Sequence, residues 1–425
     1  MVVLFWKLRF YMIKLSEKIT KYIRDCDMAS YALAISMFFL PLNLKLNNLF
    51  LVLFFILFVF EGNFNSKLNE LKINYKKLIP TTTLFFIIVF GYTYSTYTNN
   101  AFSQIERMLP LFLLPLFFVS NPYKLYKHID KYFFGLVLGC ILSALITWGW
   151  LTFEFFFKKN GWNLFSWKYS KNNLIVNLGQ HTPYISMFIF ISIGFIISKL
   201  ESKIKNKNIL RTACVVLIVF LIQLSSRTAI IYFLGASIIY LAIKKYFSVL
   251  VVLLLLILAF FSFLVSQENN YYKKILVDEI GLSGIDKIDS RFERWNNSYE
   301  LFYENPIFGV GSGDVEVYRL LKYRKNGDMD AYKEKYNAHN QLLEFLSSQG
   351  LIGGFTYLLT FAYIIYLSLR SKNKFYLFTI IGIFICCLTE SMFRRSWGVI
   401  CFSFVYGLVV VESILKLKYQ RTNLT

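Results

Sequence analysis

Apolar residues in this chain gather in long, nearly unbroken runs. The runs lie near 29–46, 48–61, 79–97, 107–120, 132–157, 181–200, 209–225, 227–243, 247–266, 346–369, 374–390 and 396–415. Most approach the roughly 20 residues that a helix needs to cross the ~30 Å hydrocarbon layer of a bilayer. Those at 48–61 and 107–120 are short, and only Ser225, Ser226 and Arg227 divide the seventh from the eighth. In lipid, only helices and closed barrels satisfy every backbone polar group. These runs are too long and too uniform for barrel strands. The pattern predicts an all-α polytopic membrane protein of about twelve transmembrane helices.

One interval breaks the pattern. Residues 267–345 are polar and hold most of the acids, dividing the chain into 1–266, 267–345 and 346–425. A loop this long in a compact protein is usually functional. Helical pieces are expected inside it. In "DSRFERWNNSYELFYENP", Asp289 or Ser290 caps a helix on which Phe292, Trp295, Tyr299 and Phe302 form an apolar stripe, and Pro306 ends it. The stripe reads first as a packing face.

Charge sets the orientation. The 425 residues carry a net charge of +21, yet only 17% are charged. A basic excess would suit nucleic acid, but in a polytopic chain it marks cytoplasmic loops and contact with membrane lipids. No nucleic-acid partner is predicted. With the basic N-terminus (Lys7, Arg9, Lys14, Lys18, Lys21, Arg24) inside, Lys67, Lys72, Lys76, Lys77, Lys124, Lys127 and Lys131 also fall inside. So do Lys199, Lys203, Lys205, Lys207, Arg211, Lys244, Lys245, Arg370, Lys372 and Lys374. An even number of spans then leaves both termini in the cytoplasm and the long loop outside. No small-residue cleavage site follows the N-terminal segment, which reads as a tail and not as a signal peptide. Of the six cysteines all but Cys26 fall in apolar runs, without CxxC spacing, and read as small hydrophobes.

Candidate chemistry lies on the outer side. Arginine beside a span is costly and is by default a functional candidate. Arg227 opens a span behind Ser225 and Ser226, Arg291 and Arg294 lie in the outer loop, and Arg394 and Arg395 lie at an outer boundary near Glu390. Planar guanidinium groups bind phosphate through paired hydrogen bonds. Snorkelling or a Glu390–Arg394 pair at i,i+4 spacing is the plainer alternative.

The chain has three histidines. His128 falls in a cytoplasmic loop and reads as solvated. His181 opens a span from the outer side. His339 begins "HNQLLEFLSSQGLIGG". A helix from about residue 337 would put His339, Leu343, Leu346, Gly350 and Gly353 on one face, with glycines admitting a neighbouring helix. A histidine at such an N-terminus is a candidate base, a capping group being the alternative.

Two further motifs are weak. "GVGSG" (Gly309, Gly311, Gly313) lacks a nucleotide-loop context and reads as a tight turn whose amides suit an anion. "DMD" (Asp328, Asp330) resembles a metal-binding DxD but has no Rossmann-like surroundings.

Taken together, these features resemble the O-antigen ligase/polymerase superfamily. His339-Asn340, nine residues, then Gly350-Leu351-Ile352-Gly353 matches its histidine motif. Arg291…Trp295 followed by "PIFGVGSG", and the pair Ser226-Arg227, match two others, with Arg227-x3-Ile231 a mild departure from Arg-x3-Leu. The resemblance covers about residues 220–360 in motifs and the whole chain in topology. It implies a GT-C-like helical fold with a large periplasmic loop before the tenth span, in the bacterial inner membrane. It implies periplasmic transfer of a glycan from undecaprenyl diphosphate to a sugar hydroxyl, on lipid A-core for a ligase or on another lipid-linked repeat for a polymerase. His339 would be the base, and Arg227 and Arg291 would engage the diphosphate. Arg294, His181, Asn340, Arg394, Arg395, Gly311 and Gly313 are further candidates for substrate contact. The transfer would be inverting, with no metal or cofactor called for. A lipid-linked glycan flippase is the competing class; such transporters often carry internal repeats, and none is found.

Overall fold

The structure is a computed structural model that describes residues 27–158, 171–202, 207–248 and 291–422, with isolated positions between 251 and 262. The expected span at 247–266, the Asp289/Ser290 cap, Cys26 and the basic N-terminal tail lie wholly or mostly outside these residues. The described residues are helical, with no strand among them. The helices are α1 (Met28–Phe39), α2 (Leu44–Phe60), α3 (Phe64–Asn74), α4 (Ile79–Tyr92), α5 (Thr98–Met108), α6 (Pro110–Ser120), α7 (Pro122–Lys127), α8 (Ile129–Lys158) and α9 (Lys171–Leu174). There follow α10 (Thr182–Leu200), α11 (Lys207–Gln223), α12 (Arg227–Ile243), α13 (Arg291–Glu304), α14 (Val315–Lys325), α15 (Met329–Lys333), α16 (Gln341–Arg370), α17 (Lys374–Thr389) and α18 (Ser396–Thr422).

Each described apolar run coincides with a helix, but length separates them. Five are long and apolar enough to cross a membrane, or six if the bent pair α2 and α3 forms one span. The five are α5–α6 taken together, α8, α10, α16 and α18. Helices α1, α4, α12 and α17 are shorter apolar helices. At 1.5 Å per residue the 12 residues of α1 extend only ~18 Å.

Helix α18 is the axis of the bundle. Val399 to Ser413 are buried on every side, against α6, α7, α16 and α17. A helix apolar all round is stable only inside a bundle or in lipid. One end of the bundle is pinned by ions: Lys124 Nζ lies 3.0 Å from Asp27 and 2.7 Å from Glu61, and His128 Nε2 lies 2.8 Å from Asp27. His128 is therefore buried and paired, contrary to the solvated reading, because the turn before α8 folds under α1.

The polar interval 291–340 forms three helices over the other end. Here the sequence reading of His339 needs correction. The long helix begins at Gln341, because Asn340 is its N-cap and accepts from the amides of Leu342 (2.9 Å) and Leu343 (3.1 Å). His339 sits before it with φ +48° and so shares no helical face with the glycines. Gly350 does not line a helix–helix contact either. With φ +63° and ψ −157° it breaks α16 in two.

The break is filled by "PIFGVGSG". Amides of Val310 and Gly311 donate to the carbonyls of Ser347 (3.0 Å) and Ser348 (2.9 Å), and the amide of Leu351 donates to Pro306 (2.7 Å). The groups that the kink frees are thereby satisfied. A Cβ on Gly350 would lie 2.3 Å from the Ile307 carbonyl oxygen, and one on Gly309 2.4 Å from the Ser348 carbonyl carbon. Both residues also hold positive φ, so only glycine fits there.

The stripe on α13 is corrected as well. Phe292 and Tyr299 are exposed, while Asn297, Ser298 and Leu301 face inward. Polar partners decide this. Asn297 Oδ1 accepts from Asn326 Nδ2 at 2.8 Å, and the Trp295 indole donates to the His339 carbonyl at 3.4 Å.

Candidate active site

Where α10, α12 and α17 meet α13 and the loop before α16 there is a cavity of about 390 Å³. Its wall includes Arg227, Arg291, Arg294, Tyr336, His339 and Glu390, with Thr182, Ser226, Thr228 and Thr389 among the smaller residues. Three of the arginines singled out by sequence and the motif histidine thus share one space.

Each is placed by its helix end. Arg227 is the first residue of α12, whose N-cap Ser226 makes no side-chain cap. Thr182 and Pro183 open α10, again without a side-chain cap. Two helix N-termini therefore point at the cavity, and such ends attract anions through their dipole and unsatisfied amides. Thr228 and Thr389 share a 2.8 Å hydrogen bond that joins α12 to α17 at the cavity wall.

His339 is held from several sides. Its amide donates to Asn337 Oδ1 at 2.8 Å, its carbonyl accepts from Trp295, and its ring lies 5.6 Å from that of Tyr336. The Tyr336 ring also carries the Arg294 guanidinium, 4.2 Å from its centroid. Left-handed backbone at a non-glycine residue is strained and persists only where its surroundings fix it. Nδ1 of His339 lies 3.1 Å from Glu390 Oε2. Nε2 is buried and has no hydrogen-bond partner among the described residues.

That contact assigns the proton. An ionised carboxylate only accepts, so Nδ1 carries the hydrogen; whenever the ring is neutral, the lone pair is on Nε2. Burial works against an ionised Glu390. The hydrogen bond and charge of His339, the charge of Arg291 and the Asn337 amide outweigh it and hold the carboxyl below its usual range.

The sequence reading did not select Glu390 for the site and named it only in the plainer alternative, as a partner of Arg394. Helix α17 ends at Thr389 and Glu390 is extended (φ −150°), so no i,i+4 geometry exists. The available signal was an acid at the end of an apolar run. Tyr336 carried no comparable signal.

The remaining candidates lie elsewhere. Arg394 turns away from the cavity: it pairs with Glu316 at 2.6 Å and approaches Glu344 at 3.5 Å, and these charges raise its already high pKa despite burial. Glu344 also holds the buried Arg319 at 2.9 Å. This network ties α14 to the first turn of α16. Arg395 is exposed and lies 5.9 Å from the Trp397 ring centre. His181 is the N-cap of α10, beside but not in the cavity wall; burial and the Arg395 charge push it below its ordinary pKa, against Glu390. Asn340 is spent on capping α16.

Gly311 and Gly313 do not present open amides. Gly311 donates to Ser348, and Gly313 donates to Ser95 Oγ at 2.9 Å, because the turn is wedged between α4 and α16. Asp328 caps α15 through Ala331.

Comparison with known proteins gives a relative and a family match. A stretch of 132 residues is 26% identical to the "ComP-specific O-oligosaccharyltransferase" of Acinetobacter baylyi (strain ATCC 33305 / BD413 / ADP1). It covers 29% of this chain and 23% of that protein, so the chain spans under a quarter of that relative's length. Residues 212–358, which include Arg227, Arg291, Arg294 and His339, match the O-antigen ligase family model, and with the relative this supports likeness to the O-antigen ligase-like superfamily.

Proposed function

We propose that the cavity transfers a glycan from undecaprenyl diphosphate to a sugar hydroxyl on lipid A-core. His339 acts as base, and Arg227 and Arg291 hold the diphosphate. The observation that carries this is the cavity itself: three guanidinium groups surround a histidine whose Nδ1 is fixed by Glu390 and whose Nε2 is unengaged within the described protein. Nε2 takes the acceptor's hydroxyl proton. The freed oxygen attacks the anomeric carbon from the side opposite the diphosphate, the carbon–oxygen bond to phosphate breaks, and undecaprenyl diphosphate leaves with the electron pair. Attack from the far side inverts the anomeric centre. Fixed arginines and two helix N-termini meet the charge that develops on the leaving group, so the transfer is metal-independent. Glu390 orients the imidazole and stabilises the imidazolium, the role a carboxylate plays in a hydrolase triad.

In this reading about twelve spans cross the inner membrane, both termini are cytoplasmic, and the cavity opens to the periplasm beneath the large loop. The name of the Acinetobacter relative, specific for ComP and transferring an oligosaccharide to oxygen, favours a second reading with an acceptor other than lipid A-core; the same base and clamp would serve it. The test uses membranes supplied with a lipid-linked glycan donor. His339→Ala and Arg291→Ala are expected to lose transfer at least ~100-fold at normal protein levels. Near wild-type transfer by both variants would sink the assignment.

A further inference from the structure

Helix α13 has a second working side. At 3.6 residues per turn, Arg291 and Arg294 share one side, and Phe292, Glu293, Asn296 and Glu300 share the opposite one. With Asn326 and Asp328 from the α14–α15 turn, that opposite side bounds a groove of about 540 Å³. The mechanism above does not use it.

The groove is chemically distinct from the arginine cavity. It combines carboxylates, primary amides and one exposed aromatic ring, that of Phe292 at 58%. The polar groups are fixed to one another. Asn296 Nδ2 donates to Glu300 Oε1 at 3.0 Å, and Asn326 Nδ2 reaches Glu300 Oε2 at 3.2 Å. Asp328 spends Oδ1 on the Ala331 amide at 3.1 Å. Its Oδ2 is shielded from solvent and accepts no hydrogen bond among the described residues.

Such a set fits polyhydroxylated rings. Carboxylate oxygens accept hydroxyl protons, amide hydrogens donate to hydroxyl oxygens, and the apolar face of a sugar packs on the flat aromatic ring. Charge narrows the choice. Three acids line the groove, and one of them, Glu300, lies 3.5 Å from Lys322. Acidic or phosphorylated sugars are repelled there, while neutral or amino sugars are not.

We propose that this groove binds the neutral or amino sugars of a glycan whose diphosphate end occupies the arginine cavity across α13. The placement of that diphosphate end rests on the function proposed above; sugar binding in the groove does not. Helix α13 would then separate two subsites of one extended substrate, with selection for sugar charge made away from the reacting bond.

The test measures binding to the purified full chain in detergent. One probe is oligosaccharide released by mild acid from the host's lipid-linked pool, free of diphosphate; the other is undecaprenyl diphosphate. Phe292→Ala and Asn296→Ala replace exposed residues by a good helix former, so folding is preserved. Each is expected to weaken oligosaccharide binding about tenfold and to leave undecaprenyl diphosphate binding as in wild type. The proposal is overturned if the oligosaccharide does not bind wild type, or binds both variants as tightly as wild type. It is also overturned if uronic-acid oligosaccharides bind as tightly, or if a chelator abolishes binding, which would mark a cation site instead. Arg291→Ala supplies the separate arm: unchanged undecaprenyl diphosphate binding would remove the function proposed above while the groove assignment stands.

Discussion

Replacing Glu390 by glutamine tests the histidine–carboxylate contact most directly. Glutamine is nearly isosteric, so cavity shape and the end of α17 are kept, and only the charge facing Nδ1 is lost. In the transferring state His339 carries the proton it has taken, and Glu390 lies 3.1 Å from Nδ1. Unit charges ~4 Å apart interact by about 4 kcal/mol at an effective dielectric of 20. Both side chains keep some exposure, 16% for His339 and 14% for Glu390, so about half of that is retained after screening. A loss of roughly 2 kcal/mol is about a 30-fold fall in kcat. The amide adds a second effect. It offers an N–H as readily as a carbonyl, and an N–H facing Nδ1 favours the tautomer with its hydrogen on Nε2, which cannot accept the acceptor's proton. The expected fall is therefore between about 30-fold and 10³-fold. Initial rates of transfer in membranes, over a range of lipid-linked donor and normalised to protein level, separate kcat from KM. The donor KM should move little, because the arginines are untouched. A kcat within threefold of wild type, or a change confined to KM, would refute the role given to Glu390.

Three further outcomes follow from the packing. Gly350→Ala puts a Cβ 2.3 Å from the Ile307 carbonyl oxygen at a left-handed position, and should cost roughly 2–4 kcal/mol, read as a lower unfolding midpoint in detergent; an unchanged midpoint would mean that the kink is not locked. Glu344→Gln leaves the buried Arg319 without its carboxylate and should cost about 3–5 kcal/mol, whereas Glu344→Leu with Arg319→Met should cost less than the single change; the reverse order, by the same unfolding assay, would refute the pairing. Arg394→Ala should lower stability and leave the donor KM unchanged, since its side chain is engaged with Glu316 and Glu344; a raised donor KM at normal stability would return Arg394 to the substrate.

Much of the helical framework was written in the apolar runs, because a run of lipid-length hydrophobicity has few folded solutions. The meeting of Arg227, Arg291, Arg294 and His339 was also legible, since polar groups at the ends of apolar runs have few places to go. Details set by backbone geometry were not. Helical periodicity assumes that a helix continues, and it failed where helices stop. It carried a helix back through His339, past the cap at Asn340, and it carried α17 on through Glu390, which manufactured a Glu390–Arg394 pair. Nothing in the letters of "SQGL" announces that Gly350 is left-handed until the carbonyl of Ile307 is seen against it. The inward face of α13 was misread for a related reason. Its polar Asn297 found a partner in Asn326, so Phe292 and Tyr299 were left outside, while Trp295 is half-buried and reaches the His339 carbonyl.

The nine-residue gap between His339-Asn340 and Gly350 takes on a physical meaning from these corrections. Those nine residues are a short helical piece, Gln341 to Gln349, bounded by a cap at one end and a kink at the other. At 1.5 Å per residue it is about 13 Å long. Its first turn receives the Arg319 and Arg394 charges through Glu344, and the Phe393 amide, 2.6 Å away, through Gln341. Its last turn offers the Ser347 and Ser348 carbonyls to the glycine loop. One added or deleted residue would rotate Glu344 by about 100° relative to Gly350. It would then separate either the ion network or the loop from its partner. The spacing is therefore a constraint on where the histidine stands relative to α14 and the glycine loop, and it acts through a rigid strut instead of a shared helical face.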